Sequence, residues 1–163
     1  MENTGERLAG KLRSEGARTS EFFKGIHGDA WQQVVFSSTE NPIWSIRDVF
    51  EHLVISEDLL RALFRDVAAG REGAPRGFKV DDANNAALGT LRVLSLAEVF
   101  SRFQTGRDLT AAFAEILTSD QLATIGRHPF LGLCTLEEML RLISVHNAMH
   151  VKDIKKSLSQ QEK

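Results

Sequence analysis

Four stretches of the chain repeat apolar residues at helical spacing. The first runs from about Glu6 to Ile26, with Leu8, Leu12, Phe22, Phe23 and Ile26 on one face. The second opens at "WSIRD", where Ser45 and Asp48 make a shortened capping box. It carries Val49, Phe50, Leu53, Leu60, Leu63 and Phe64 as far as Gly70. The third opens at the full capping box "SLAE", Ser95 to Glu98, and its buried side reads Leu96, Val99, Phe100, Phe103, Phe113, Ile116 and Leu117. The fourth opens at a second full box, "TLEE", Thr135 to Glu138, with Leu136, Met139, Leu140, Ile143 and Ile154 along its stripe.

The connections are long. "VDDANNAALGTL" predicts a short helix capped by Asp81 or Asp82, "TSDQLATI" one further helical turn, and the segment near Asp29 and Trp31 another. "REGAPRG" and "GRHPFLGLC" read as irregular loops, and all three prolines, Pro42, Pro75 and Pro129, fall in connections. Gly10 and Gly16 fall inside the first helix, where glycine lowers the propensity for a regular helix. The expected fold is all-α: a four-helix bundle with short extra helices in the connections, spanning residues 1–163 as one domain. Connections of this length leave the packing order of the helices open.

Composition narrows the function. A hydrophobic content of 42% with 26% charged residues is that of a globular chain. A net charge of −2 supplies no basic face for nucleic acid. The cluster Lys152, Lys155 and Lys156 suits the C-terminal end of a helix dipole. No apolar run approaches the ~20 residues of a membrane span, and "MENTGERLAGKLR" lacks the apolar core of a signal peptide. One cysteine, Cys134, permits no internal disulfide and fits a cytoplasmic location; a small buried hydrophobe is a better reading of it than a nucleophile.

The chemistry concentrates in "LISVHNAMHVKDI". His146 and His150 lie four residues apart, about 40° around a helix and about 6 Å along it. Two imidazoles at that spacing share a face and can reach one metal ion. The pair alone is weak support, because a hydrogen-bonded core histidine has the same signature. His52, beside the apolar stripe of the second helix, is a third candidate, since ligands from two facing helices converge in bundles. Three neutral imidazoles leave positions open for water or substrate. His27 and His128 read as surface residues.

"WSIRDVFEHL" at the start of the second helix, followed by "HNAMHVKDI" in the last, resembles the DinB-like and YfiT-like metal-dependent proteins. "FKVDDANNAALGTLRVLSLAEVFSRF" is similar to that family's acidic, Asn-bearing linker, so the resemblance covers about residues 5–160. It implies a bundle that binds a divalent ion, zinc or nickel, through one histidine of the second helix and two of the last: His52, His146 and His150. It further implies joining of a low-molecular-weight thiol such as bacillithiol or mycothiol to an electrophile, or hydrolysis by an activated water. A homodimer is also implied, with Phe22 and Phe23 of the first helix available to a partner.

Several roles stay open. Glu57 falls on the apolar stripe, where it can orient a ligand, accept a proton or simply pair with a neighbouring helix. Asp153 can reach an imidazole or face water. Asn84 and Asn85 can line the mouth of a site or cap a turn. A metal-dependent S-transferase or hydrolase and a non-catalytic, stress-associated metal-binding bundle both fit the triad. An open, substrate-sized apolar pocket would favour the enzyme.

Overall fold

The computed structural model describes residues 4–37 and 43–161; Pro42 lies outside them. Four long helices form the body: α1 (Thr4–Lys24), α2 (Ile46–Ala68), α4 (Leu96–Glu115) and α6 (Leu136–Gln161). The connections add a 3-10 turn at Gly28–Gln32 and the short helices α3 (Val80–Ala87) and α5 (Ser119–Leu122). Each long helix after the first starts where its local chemistry dictates. Ser45 accepts from the Asp48 N–H and Ser95 from that of Glu98, and each carboxylate returns a bond to the cap backbone. Thr135 and Glu138 close the same reciprocal box ahead of α6. The expected cap on α3 does not form. Lys79 occupies that position without a side-chain bond, and Asp81 and Asp82 fall in the first turn, where their charge favours the helix N-terminus.

The helices do not pack in chain order. α1 lies against α4 and α6, and α2 lies against the same two, so α1 and α2 are diagonal. Two apolar clusters fix the directions. One joins Leu8 and Leu12 to Phe64 and Val67, Ala111 and Ala114, and Met139 to Ile143. It therefore unites the N-terminal halves of α1 and α6 with the C-terminal halves of α2 and α4. The other holds Phe23, Trp31, Val49, Phe50, Leu53, Val99, Phe103 and Ile154. α1 and α6 thus run one way and α2 and α4 the other. Phe23 is fully enclosed here, stacked on Phe50 at 4.3 Å, so it is not spare surface for a partner. Ile116, expected inside, is 77% exposed, because α4 ends at Glu115.

A polar layer separates the two clusters. Arg107 of α4 is buried and forks onto Glu57 of α2, with Nε to Oε1 at 3.0 Å and Nη2 to Oε2 at 3.1 Å. Its Nη1 donates to the Leu12 carbonyl at 3.0 Å and to the Glu15 carboxylate of α1. Thr19 also donates to Glu15. Burial alone would lower the pKa of Arg107, but Glu57 and then Glu15 raise it above the ordinary guanidinium value. Gly16 makes room for this side chain: a Cβ there would stand 2.6 Å from Arg107 Cγ.

Two small antiparallel ribbons, not foreseen from the sequence, complete the fold. β1 (Val34–Phe36) pairs with β2 (Trp44–Ser45), and β3 (Ile125–His128) pairs with β4 (Gly132–Thr135). "GRHPFLGLC" is therefore a hairpin, with Gly126 opposite Cys134 and His128 opposite Gly132. Gly126 seats it on the bundle, since a Cβ there would come within 2.4 Å of Val67.

The two glycines of α1 should respond oppositely to substitution. Gly10 has open space around its missing Cβ, so Gly10→Ala should stabilise by about 0.4–1 kcal/mol. Gly16→Ala should destabilise, because the same propensity gain is outweighed by the clash with Arg107. Arg107→Ala should cost about 3–5 kcal/mol by stranding two buried carboxylates. Urea melts of the three variants check all three signs.

Candidate metal centre

α2 and α6 face each other, and the three histidines meet between them. His52 Nε2 lies 3.1 Å from His146 Nε2, and His150 Nε2 lies 3.0 Å from the same atom. The ring centroids are 4.7 to 5.2 Å apart. Three side chains from two helices therefore aim one nitrogen each at a common point. Two nitrogens about 2.1 Å from a shared ion, at right angles, stand about 3.0 Å apart, so the donor set fits a divalent metal.

Two of the rings, His52 and His150, are backed from outside the cluster. Ser56, one turn beyond His52, contacts its Nδ1 at 3.2 Å. Trp44 of β2 packs edge-on against His52 at 5.0 Å, and Phe36 of β1 packs on His150 at 5.9 Å. The β1–β2 ribbon is thus an aromatic wall for the triad. Asp153 Oδ2 stands 4.0 Å from His150 Nδ1, beyond hydrogen-bond reach, and its side chain is 42% exposed.

Burial makes all three rings poor proton acceptors. It is the largest cause for each, reinforced in His52 by His146 and then His150, and in His146 by His150. His52 is pushed down to about 3, and His146 and His150 to about 4. The triad is neutral at pH 7, the form that ligates metals.

A cavity of about 1120 Å³ opens over the triad. Its lining is largely apolar, with Phe36, Trp44, Leu59, Phe78, Phe130 and Met149 among the residues around the histidines. Asn84 and Asn85 of α3 also line it, one of the two roles that the sequence left open for them. Glu57 reaches the cavity as well, but both its oxygens are bound by Arg107, so it serves as the helix-pairing residue. Asn147, beside His146, is buried and turned to Glu15 at 3.5 Å. Cys134 is half-buried; burial and then the Glu138 charge raise its thiol pKa, opposed by a bond from the His128 backbone. That environment disfavours the thiolate a nucleophile needs.

One histidine corrects the sequence reading. His128 is a buried residue of the cavity wall, only 4% exposed. Its Nδ1 accepts from the backbone N–H groups of Phe130 and Leu131 at 3.1 and 3.2 Å. Burial and then the nearby His146 push it down to about 4. No period-2 pattern of apolar residues marks it: Ile125, the apolar residue of β3, is 65% exposed, while Gly126 and His128 are the buried positions.

The site is a three-histidine donor set at the floor of an apolar pocket in a helical bundle. The chain belongs to the DinB superfamily, whose model matches residues 7–154. Among solved structures it is similar to YfiT from Bacillus subtilis, with a TM-score of 0.78 over 99% of this chain and 90% of that one. That protein is described as a probable metal-dependent hydrolase with an unusual four-helix bundle topology. At 17% identity the likeness is one of fold. No curated protein matches the chain. Among the described residues no helix is long and apolar enough to cross a membrane.

The histidines also set a pH dependence. Their folded pKa values lie below the unfolded value of about 6.5, so the unfolded chain binds more protons between about 6.5 and 4. Their contribution to stability is fully present above 6.5 and is lost as pH falls toward 4. With chelator present, the thermal midpoint should fall across that window, and His150→Phe should flatten the slope.

Proposed function

We propose that the chain is a metal-dependent enzyme in which His52, His146 and His150 hold a divalent ion, zinc or nickel. Its reaction joins a low-molecular-weight thiol, or water, to an electrophile with an apolar body. The observation that carries this reading is the convergence of three neutral imidazole nitrogens at the floor of a large apolar cavity. A closed, filled site would instead fit a non-catalytic metal-binding protein; the open cavity favours turnover.

When bound, a divalent ion lowers the pKa of a coordinated thiol or water and so supplies the nucleophile at neutral pH. The chain's residues do the rest. Ser56 and Trp44 orient His52, and Phe36 backs His150. The aromatic wall keeps water from the apolar part of a substrate and favours its burial at about 25 cal/mol per Å². No protein nucleophile is required, in keeping with the raised thiol pKa of Cys134.

Metal analysis of tag-free protein, followed by assay of low-molecular-weight thiols with chlorodinitrobenzene and of nitrophenyl esters with water, tests the reading. Turnover that disappears with chelator and returns with zinc or nickel supports it. His150→Ala should abolish metal uptake and turnover together while helix content stays nearly intact. Thermal melts with chelator and with added metal separate a ligand from a packing residue: metal should raise the wild-type midpoint and leave the variant's unchanged. An equal rise in both proteins would remove His150 from the ligand set.

The homodimer belongs to the same proposal. With Phe23 enclosed, the apolar surface available to a second copy includes Ile125, Phe130 and Leu133 of the β3–β4 hairpin, each at least 65% exposed. Light scattering at micromolar concentration should give twice the 18.1 kDa chain mass; a monomer refutes it.

A further inference from the structure

His128 stands in the wall of the cavity yet outside the three-nitrogen cluster. Its chemistry is fixed by its own hairpin. A ring nitrogen that accepts two backbone N–H groups is bare, and Nδ1 accepts those of Phe130 and Leu131. The ring proton is therefore on Nε2. A protonated Nε2 cannot ligate a metal, so this fourth histidine is not a fourth ligand. It is a donor with a fixed direction, since the Nδ1 edge faces the hairpin turn and the Nε2 edge faces away from it.

That donor has no acceptor. Nε2 is buried and finds no hydrogen-bond partner among the described residues. Gly126, two residues earlier on the same face of β3, sits against Val67 of α2, so that face is turned into the bundle. Nε2 itself has almost no accessible surface, so an acceptor that pairs with it has to displace the atoms lying over it.

We infer that His128 Nε2–H is the substrate-binding donor of this pocket, hydrogen-bonding a carbonyl or carboxylate oxygen of the ligand bound over the triad. The ligand class is thus an apolar body carrying an oxygen acceptor. Phe78, Phe130 and Leu59 in the same lining accommodate the body, and His128 recognises the oxygen. The inference rests on the metal-site reading above.

The test uses cobalt-substituted full-length protein, with visible absorption reporting ligands at the ion. Acetate is the oxygen probe, and imidazole, which offers no oxygen, is the control. His128→Asn keeps an acceptor near the Nδ1 position for the hairpin and deletes the Nε2 donor. Cobalt uptake and imidazole affinity should match wild type, while acetate binding should weaken about ten-fold or more. Unchanged acetate affinity, or an equal loss for imidazole, overturns the proposal and leaves the metal reading standing. Wild-type protein that takes up no cobalt overturns both. Should His128→Asn fail to fold, nitrogen-15 NMR of wild type decides. A proton on His128 Nε2 whose resonance shifts with acetate supports the proposal; a proton on Nδ1, or indifference to acetate, overturns it.

Discussion

Arg107 is carried by α4 into the middle of the bundle, where a guanidinium has no water to solvate it. Its removal from water costs several kcal/mol unless partners replace the lost bonds. Here the Leu12 carbonyl, Glu15 and Glu57 do so, from two other helices. Asn147 of α6 joins through Glu15, so all four long helices meet in one polar layer. Apolar packing tolerates sliding, but a two-pronged Arg–carboxylate pair does not. The layer therefore fixes the mutual height of the helices, which no single apolar contact would.

The histidine site inherits that height. Glu57 lies five residues beyond His52 on α2, and Asn147 is next to His146 on α6. Locking these two to α1 and α4 sets how far α2 and α6 can shift past each other. His146 Nε2 comes within about 3 Å of the other two Nε2 atoms only at one such register. A ligand set drawn from two helices needs that rigidity, because an error of one ångström separates a donor set from three unrelated imidazoles.

The two ribbons do what the helices cannot. A helix wall presents side chains at fixed intervals, whereas strands let the chain reach across the open end between α2 and α6. β1 and β2 bring Phe36 and Trp44 against the triad, and β3 brings His128 to the cavity wall. The site is thus a helical donor set enclosed by short extended segments, with the apolar lining and the spare N–H coming mainly from the connections.

What the sequence determined is what local chemistry determines. Helix starts at Ser45, Ser95 and Thr135 were legible because a capping box closes within four residues. The shared face of His146 and His150 was legible because it follows from 3.6 residues per turn. His52 was legible as a candidate from its place beside the stripe, and as a partner only through the resemblance to a family. Tertiary structure decided the rest, because it joins residues far apart in the chain. The diagonal placement of α1 and α2 depends on which faces interlock, and the pairing of Glu57 depends on Arg107, fifty positions away. His128 turned inward because Gly126 allows β3 to lie against Val67, a contact that no periodicity in "GRHPFLGLC" encodes.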